Sequence, residues 1–216
     1  MKKILTIAVM TIVFAANGFA QDYTLGVRVG MNVANILGDF SDADYSAKLG
    51  LKAGIVGCFN LDGDFYLEPG IYFAPKGAKK EYKDIAGNNI KDIYNLNYLE
   101  IPVNAVYKYE INSNLTVRGF AGPYFGFGMF GRHKYEVNGS AKDKDGGKKQ
   151  KAFSSKATEC NYQQFDFGMN IGGGLEFSVC YLGIQYGMGF LNFNSKNDKD
   201  YKMRNGVFAV EFGVNF

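Results

Sequence analysis

Apolar side chains recur at every second position along most of this chain. The last ten residues, "VFAVEFGVNF", show the pattern most plainly, because the carboxylate of Glu211 lies within an apolar row made of Phe208, Val210, Phe212, Val214 and Phe216. A period of two residues indicates a β-strand with two unlike faces, whereas an amphipathic helix repeats every 3.6 residues. No stretch after residue 20 sustains the helical period, so we predict an all-β protein.

The alternating stretches define eight strands, predicted at 23–33, 49–60, 64–76, 95–109, 114–130, 163–177, 180–193 and 204–216. Short turns are predicted at 61–63, 111–113 and 178–179, and long polar connections at 34–48, 77–94, 131–162 and 194–203. Short and long connections alternate, so both chain ends lie at the short-turn end. This arrangement is typical of bacterial outer-membrane barrels, in which about ten residues per strand cover the apolar band.

The two faces of these strands predict their orientation. In the strand at 163–177 one face carries Phe165, Phe167, Met169, Ile171 and Leu175, and the other carries Asp166, Asn170, Glu176 and three glycines. Glycine weakens a strand, but the interior of an eight-stranded barrel has little room for side chains. We therefore expect the charged, glycine-rich face to point inward; a soluble ligand-binding barrel would have the reverse orientation. The predicted fold class is an eight-stranded antiparallel up-and-down transmembrane β-barrel.

The first residues are typical of an export signal. Lys2 and Lys3 precede an apolar run at 4–16, and the small residues Gly18 and Ala20 suit a cleavage site. The run is shorter than the roughly 20 residues of a membrane-spanning helix. We predict that residues 1–20 are a cleaved signal peptide and that 21–216 form the barrel domain. Loss of the two lysines lowers the net charge from +3 to +1, which predicts no nucleic-acid partner.

A polar network is predicted in the lumen, formed by Arg28, Lys52, Glu68, Glu100, Arg118, Asp166, Glu176 and Glu211. One layer is expected to contain Arg28, Glu68, Arg118 and Glu211, and a second Lys52, Glu100 and Asp166. Arg28 and Glu211 lie on the two strands that meet at closure. Inward Tyr66, Tyr72, Tyr98 and Tyr124 are expected to fill the remaining volume. Buried ions require partners, so we predict a salt-bridged, filled interior. The alternative is a narrow path for small solutes or ions, which the strand number disfavours because porin channels have about 16–18 strands.

Four segments carry a family resemblance: "YTLGVRVGMNVANI" at 23–36, "YLEIPVNAVYKY" at 98–109, "GFAGPYFGFGM" at 119–129 and "VEFGVNF" at 210–216. With them the chain resembles the PorT-type family of outer-membrane β-barrel proteins of Gram-negative bacteria, and more distantly the OmpA/OmpX-type barrels. The resemblance implies an integral outer-membrane protein folded by the barrel-assembly machinery, for which Phe216 and the alternating row before it resemble the recognition signal. Some members are linked to protein secretion. The family implies no single activity, and the absence of Trp departs from the usual aromatic belt.

Other motifs are weaker. "GFGMFG" at 126–131 matches a dinucleotide fingerprint but lacks the βαβ context that binding needs. His133 could act with Ser154, Ser155 and Glu136 in a lipid hydrolase, although a histidine at the rim of the barrel is the simpler interpretation. The segment 194–200 lacks the Gly and Glu of a calcium loop. The spacing of Cys58, Cys160 and Cys180 is not that of a metal site. The sequence leaves open whether two of them form a disulfide.

The long connection at 131–162 has a net charge of +4, from eight Lys or Arg and four Asp or Glu residues. It is interpreted first as a solvated tip and alternatively as a contact for lipopolysaccharide phosphates or an acidic partner. We predict a monomer without enzymatic activity, cofactor or metal. Its role is structural or interactive, through the outer loops or through a periplasmic partner at the short turns.

Overall fold

A computed structural model gives the fold of this chain. The structure describes residues 23–37, 45–83, 87–138, 140–141, 150–151, 153, 163–192 and 203–216. The predicted signal peptide, most of the segment 142–162 and the loop at 194–200 lie outside the described residues. Within the described part there is no helix long and apolar enough to cross a membrane.

Twelve strands make up the described structure. Their bounds are β1 Tyr23–Leu37, β2 Tyr45–Ser46, β3 Lys48–Asp62, β4 Phe65–Lys76, β5 Lys79–Lys83, β6 Asn89–Asn112, β7 Leu115–Val137, β8 Ser140–Ala141, β9 Gln150–Lys151, β10 Phe165–Phe177, β11 Cys180–Gly189 and β12 Arg204–Asn215.

Eight of these strands form a closed antiparallel ring in the order β1, β3, β4, β6, β7, β10, β11 and β12. β1 pairs with β12 from Gly26↔Asn215 to Leu37↔Arg204, which closes the ring. The closure continues to the end of the chain, because the amide and carbonyl of Leu25 each hydrogen-bond to Phe216 at 3.0 and 2.8 Å. A closed ring leaves no unpaired strand edge, as a membrane interior requires. The predicted eight-stranded barrel is confirmed.

Short turns connect the barrel strands at one end. They lie at 63–64, 113–114 and 178–179, within two residues of the predicted positions. Gly63 and Ser178 have positive φ values of 52° and 51°, as is common in two-residue hairpin turns. We call this the short-turn end and the opposite end the long-loop end.

β6 and β7 extend further toward the long-loop end than predicted. They contain 24 and 23 residues, and they pair from Ile90↔Val137 to Asn112↔Leu115. β5 joins them after a break at Gly77, whose φ of +120° and contact with the Tyr94 carbonyl exclude a side chain. We call β5, residues 89–97 of β6 and residues 130–137 of β7 the extension sheet. The predicted loops at 77–94 and 131–162 are wrong in this part, because a strand beyond the bilayer needs no continuous apolar row.

The barrel wall is apolar outside and polar inside. Leu51 and Ile171 on the outer surface are 73% and 62% exposed, whereas Arg28 and Asp166 inside are 2% and 1% exposed. A water-soluble protein would have the opposite distribution. The orientation predicted from the glycine-rich face therefore matches the structure.

Candidate functional site: the barrel lumen

Among the described residues, ten charged side chains come together in the lumen, five cations and five anions. They are Arg28, Lys52, Lys76, Lys108, Arg118, Glu68, Glu100, Asp166, Glu176 and Glu211. The eight charged residues singled out from the sequence are all buried. Lys76 and Lys108 are the two members of this group that the sequence analysis does not single out.

The cluster nearest the long-loop end is built on Lys76, the last residue of β4. Its ammonium lies 2.7 Å from Glu100 Oε2 and 3.1 Å from Asp166 Oδ2. Tyr124 and Asn205 donate hydrogen bonds to the same oxygen of Asp166, at 3.2 and 2.9 Å. The side chains of Lys76, Glu100 and Asp166 are 1–4% exposed. We call Lys76, Glu100 and Asp166 the long-loop cluster.

A second ion pair lies in the middle of the lumen. The ammonium of Lys52 is 2.5 Å from Glu211 Oε1 and 3.4 Å from Gln185 Oε1. It also lies 4.1 Å from the centre of the Tyr72 ring, a cation–π contact. Glu211, the isolated carboxylate of the terminal strand, is therefore paired with a cation from β3.

The cluster nearest the short-turn end alternates cations and anions. Arg118 lies 2.7 Å from Glu68 and 2.9 Å from Glu176, and Lys108 lies 2.9 Å from the other oxygen of Glu176. The side chains of Lys108 and Glu176 are 15% and 11% exposed. We call Glu68, Lys108, Arg118 and Glu176 the short-turn cluster.

Arg28 differs from the expected arrangement. Its guanidinium was expected to share a layer with Glu211, but Glu211 pairs with Lys52. Within the described part of the chain, no carboxylate lies within 4.0 Å of Arg28. Its guanidinium lies instead over the Tyr181 ring, 4.2 Å from the centroid, with long contacts to two backbone carbonyls. The reason is local, since Arg28 extends toward the short-turn end over Gly26 and Gly213.

The predicted layers are therefore wrong in part. Lys52, Glu100 and Asp166 do not form one group, because Lys76 takes the place expected for Lys52. Lys76 and Lys108 could have been found from parity alone: Lys76 shares the even-numbered face of Glu68 on β4, and Lys108 that of Glu100 on β6.

Aromatic rings fill the space between the ion clusters. Tyr72, Tyr98 and Tyr124 are buried as expected, Tyr66 is half-buried, and Phe120 and Tyr181 were not foreseen. Inward glycines face these rings: a Cβ at Gly54 would lie 2.5 Å from the Tyr72 ring, and a Cβ at Gly183 would collide with Tyr181. The glycine-rich face thus provides room for aromatic rings. A lumen cavity lined by Asn32, Glu100 and Asn170 has a volume of about 10 Å³, which is room for about one water molecule.

An apolar cap lies above the long-loop cluster. Its buried members are Ile36, Ala78, Leu96, Tyr98 and Met203, with Tyr94 and Phe153 packed against them. Phe153 meets Tyr98 edge to face at 5.6 Å and covers Gly128. This single residue of the long connection at 131–162 thus reaches back into the mouth of the barrel.

The weaker sequence motifs form no second site in the described residues. The "GFGMFG" segment lies inside β7 between antiparallel neighbours, without the helix that a dinucleotide site needs. Ser154, Ser155 and the side chain of His133 lie outside the described part. Cys58 is buried and Cys180 half-buried, both as free thiols, and Cys160 is not described. No cluster of metal-ligating side chains occurs among the described residues.

The alternating row of β12 faces away from the lumen. Phe208, Val210, Phe212, Val214 and Phe216 all lie on the outer surface, with Phe216 the most exposed. The row is continuous with the apolar surface of β1 and β11, its two neighbours.

The sequence matches a known protein family over residues 19–193, the family of the outer membrane protein beta-barrel domain. No curated protein matches the chain. Among solved structures, the chain is similar to Ail, the attachment invasion locus protein of Yersinia pestis, solved with the heparin analogue sucrose octasulfate. That likeness has 14% identity, covers 91% of this chain and 100% of Ail, and has a TM-score of 0.43. Neisserial surface protein A has 12% identity, coverage of 91% and 100%, and a TM-score of 0.43. OprG from Pseudomonas aeruginosa has 12% identity, coverage of 89% and 95%, and a TM-score of 0.42. Likenesses this weak carry no inference about function.

Proposed function

The chain belongs to the family of the outer membrane protein beta-barrel domain, and from that premise we propose that it is a sealed barrel with a structural or interaction role at the cell surface. The protein resides in the outer membrane of a Gram-negative bacterium. In this class the short turns face the periplasm and the longer loops face outward. The short-turn end is therefore periplasmic, and the long-loop end is the outer end.

The filled lumen is the observation that carries the proposal. Three ion-paired groups and their aromatic neighbours occupy the described interior, and the apolar cap packs at its long-loop end. A hydrated ion that crossed this barrel would have to separate buried ion pairs, at a cost of several kcal/mol per ion. A narrow pore or transporter is the alternative that this geometry disfavours.

Interaction through the outer parts is the positive half of the proposal. The extension sheet is formed by parts of the connections predicted at 77–94 and 131–162. Its paired strands project away from the bilayer. A sheet fixed in this way suits the display of a surface better than a free loop does. Contact with lipopolysaccharide, or with a protein partner at the outer loops or periplasmic turns, belongs to this proposal.

Several finer points belong to the same proposal. The row that ends at Phe216 acts as the signal for the barrel-assembly machinery, and the barrel is a monomer without enzymatic activity. A PorT-type relationship and a link to secretion rest on the sequence resemblance alone.

Single-channel recording tests the seal. The purified barrel, folded in detergent, is added to planar bilayers at high salt, and a heat-unfolded sample is the control. We expect no discrete current steps from the folded protein. Reproducible steps that vanish on unfolding would establish a pore and refute the sealed barrel.

Limited proteolysis tests the orientation. Trypsin added to intact cells should cleave within the lysine-rich segment 142–151, because the proposal puts this segment outside the cell. Complete resistance in intact cells, combined with cleavage after outer-membrane disruption, would show that the long loops face the periplasm.

A further inference from the structure

The outer surface of the extension sheet becomes cationic directly beyond the lipid-facing apolar side chains. On β6 the outward positions run from Tyr107 to Leu99 as an apolar row and continue with Asn97, Asn95 and Ile93. The stacked rings of Phe73 and Phe130, 6.1 Å apart, lie at the level of Leu99 and Asn97. These rings mark the outer edge of the apolar band.

Two rows of the sheet bring basic residues together at this height. In the first row Asn95 pairs with Arg132, which pairs in turn with Lys151. In the second row Ile93 lies between Lys79 and Lys134. Directly paired residues lie about 5 Å apart across strands, and the two rows are separated by about 7 Å along the strand. We call Lys79, Arg132 and the ladder positions 134 and 151 the basic patch.

Lys79 and Arg132 form no salt bridge among the described residues. No carboxylate of the described residues lies within 4.0 Å of either side chain. One row further out the situation differs, because Lys91 lies 2.6 Å from Glu81. Lys79 and Arg132 are therefore available for an external anion, whereas the charge of Lys91 is already paired with that of Glu81.

The basic patch occupies one sector of the outer rim. Arg204 is an outward cation at this end on β12, which is separated from β7 by β10 and β11. The described periplasmic turns, at 60–66, 110–116 and 178–180, contain Asp62, Asp64 and Glu110 and no Lys or Arg. Among the described residues, the basic patch and the acidic turns thus lie at opposite ends of the barrel.

We propose that Lys79 and Arg132 form the centre of a binding site for the phosphate groups of an outer-leaflet lipid. The guanidinium of Arg132 can hold a phosphate through two parallel hydrogen bonds, and the ammonium of Lys79 adds a point charge. A membrane lipid is the occupant because the basic patch faces outward and continues the lipid-facing apolar surface. The acyl chains then lie against Phe73 and Phe130 while the phosphates meet the cations. The inference rests on the proposed function, since it requires the extension sheet to lie on the outer side.

Native mass spectrometry of the detergent-solubilised barrel tests the site, with diphosphoryl lipid A as the probe. We expect the Lys79→Gln/Arg132→Gln double variant to bind this lipid at least tenfold more weakly than the unmodified protein. Lipid A from which both phosphates have been removed should bind both proteins equally weakly. Equal binding of diphosphoryl lipid A by the variant and the unmodified barrel would refute the proposal.

Matched charge variants separate a site from general attraction. Lys91→Gln and Arg204→Gln each remove one cation of the outer end, and we expect both to retain lipid binding within a factor of two. A loss equal to that of the double variant would show that total charge, and not the basic patch, governs binding. Competition by inorganic phosphate at millimolar concentration would indicate a soluble anion and overturn the assignment to a lipid.

The two proposals fail in different ways. Each variant is first checked for folding by its gel mobility with and without heating, and for the absence of channel activity. A folded, non-conducting barrel that binds no lipid A would refute the lipid site alone. Current steps from the unmodified protein would refute the sealed barrel and leave the lipid measurement intact.

Discussion

The two ends of the lumen stabilise their buried charges in different ways. At the long-loop end, Lys76 lies between two carboxylates under the apolar cap, and these groups are 1–4% exposed. At the short-turn end, Arg118 and Lys108 alternate with two glutamates, and Lys108 and Glu176 remain 15% and 11% exposed. Both clusters bury ions, but only the short-turn cluster is balanced in charge and within reach of water.

The difference shows which ion pairs maintain the barrel. The long-loop cluster has an excess of one carboxylate, so the hydrogen bonds from Tyr124 and Asn205 to Asp166 stabilise the remaining charge. Ions in a dry site interact strongly but lose their hydration, so each partner becomes indispensable. In the short-turn cluster, water can replace part of a lost partner. We therefore expect mutational cost to follow depth, from the outer cluster to the exposed surface.

Loss of Lys76 should have the largest effect. Lys76→Met leaves Glu100 and Asp166 buried without a cation, and breaking such a pair typically costs about 3–5 kcal/mol. The free energy of unfolding is measured by urea titration of the barrel in phosphatidylcholine vesicles, followed by gel mobility and by tyrosine fluorescence, since the chain lacks Trp.

A neutralised cluster is the control for this prediction. The triple variant Lys76→Met/Glu100→Gln/Asp166→Asn removes the stranded charges, so it should recover most of the lost stability. If the triple variant is as unstable as Lys76→Met, lost packing and not unpaired charge is the cause, and the comparison fails at its outer end.

Loss of Lys108 should cost less. In Lys108→Met, Glu176 keeps its 2.9 Å contact with Arg118 and its partial access to water. The expected loss is about 1–2 kcal/mol, between the values for surface pairs and fully buried pairs. The same urea titration applies. A loss as large as that of Lys76→Met would show that the two ends do not differ.

Arg28 provides a test without a carboxylate. Arg28→Met strands no anion of the described lumen, and its loss is limited to the contact with Tyr181 and to packing over Gly26 and Gly213. We expect a change below about 1 kcal/mol, of the size of a weak cation–π contact. A cost of several kcal/mol would reveal that Arg28 compensates a charge elsewhere in the lumen.

The contrast between these variants also shows how much of the barrel and its lumen can be predicted from the sequence. Alternation identified the eight strands and their two faces, because burial of one face imposes a period of two over the whole wall. Which cation meets which carboxylate depends on the stagger between neighbouring strands, which a single sequence does not encode visibly. Glu211 was therefore assigned to the layer of Arg28, whereas the register brings it to Lys52.

Lys76 was missed for a different reason. Lys76 is the last residue of the predicted strand 64–76, next to a polar connection, and it was not included among the inward charges although it shares the parity of Glu68. The extension sheet was missed because Lys79, Glu81 and Lys91 form polar rows outside the membrane, where no apolar signal separates a strand from a loop.

The exposed pair of the extension sheet should have the smallest effect and completes the series. The hydrogen bond from Lys91 lowers the pKa of the Glu81 carboxyl and raises the pKa of Lys91. A lowered carboxyl pKa stabilises the fold above the pKa of the unfolded chain, and this stabilisation disappears as the pH falls through the folded pKa. Both charged groups lie at the solvent-accessible surface, however, and solvent screens such pairs so strongly that they add little stability.

Glu81→Gln should therefore leave the urea midpoint unchanged from pH 7 down to the acid limit of folding. The local prediction is different: in Lys91→Gln, the Glu81 carboxyl should titrate at a higher pH than in the unmodified barrel, as followed by carbon NMR of labelled glutamate. An unchanged titration would show that the pair does not persist in solution. A shifted urea midpoint in Glu81→Gln would show that position in the fold, and not depth of burial, determines how much an ion pair stabilises this barrel.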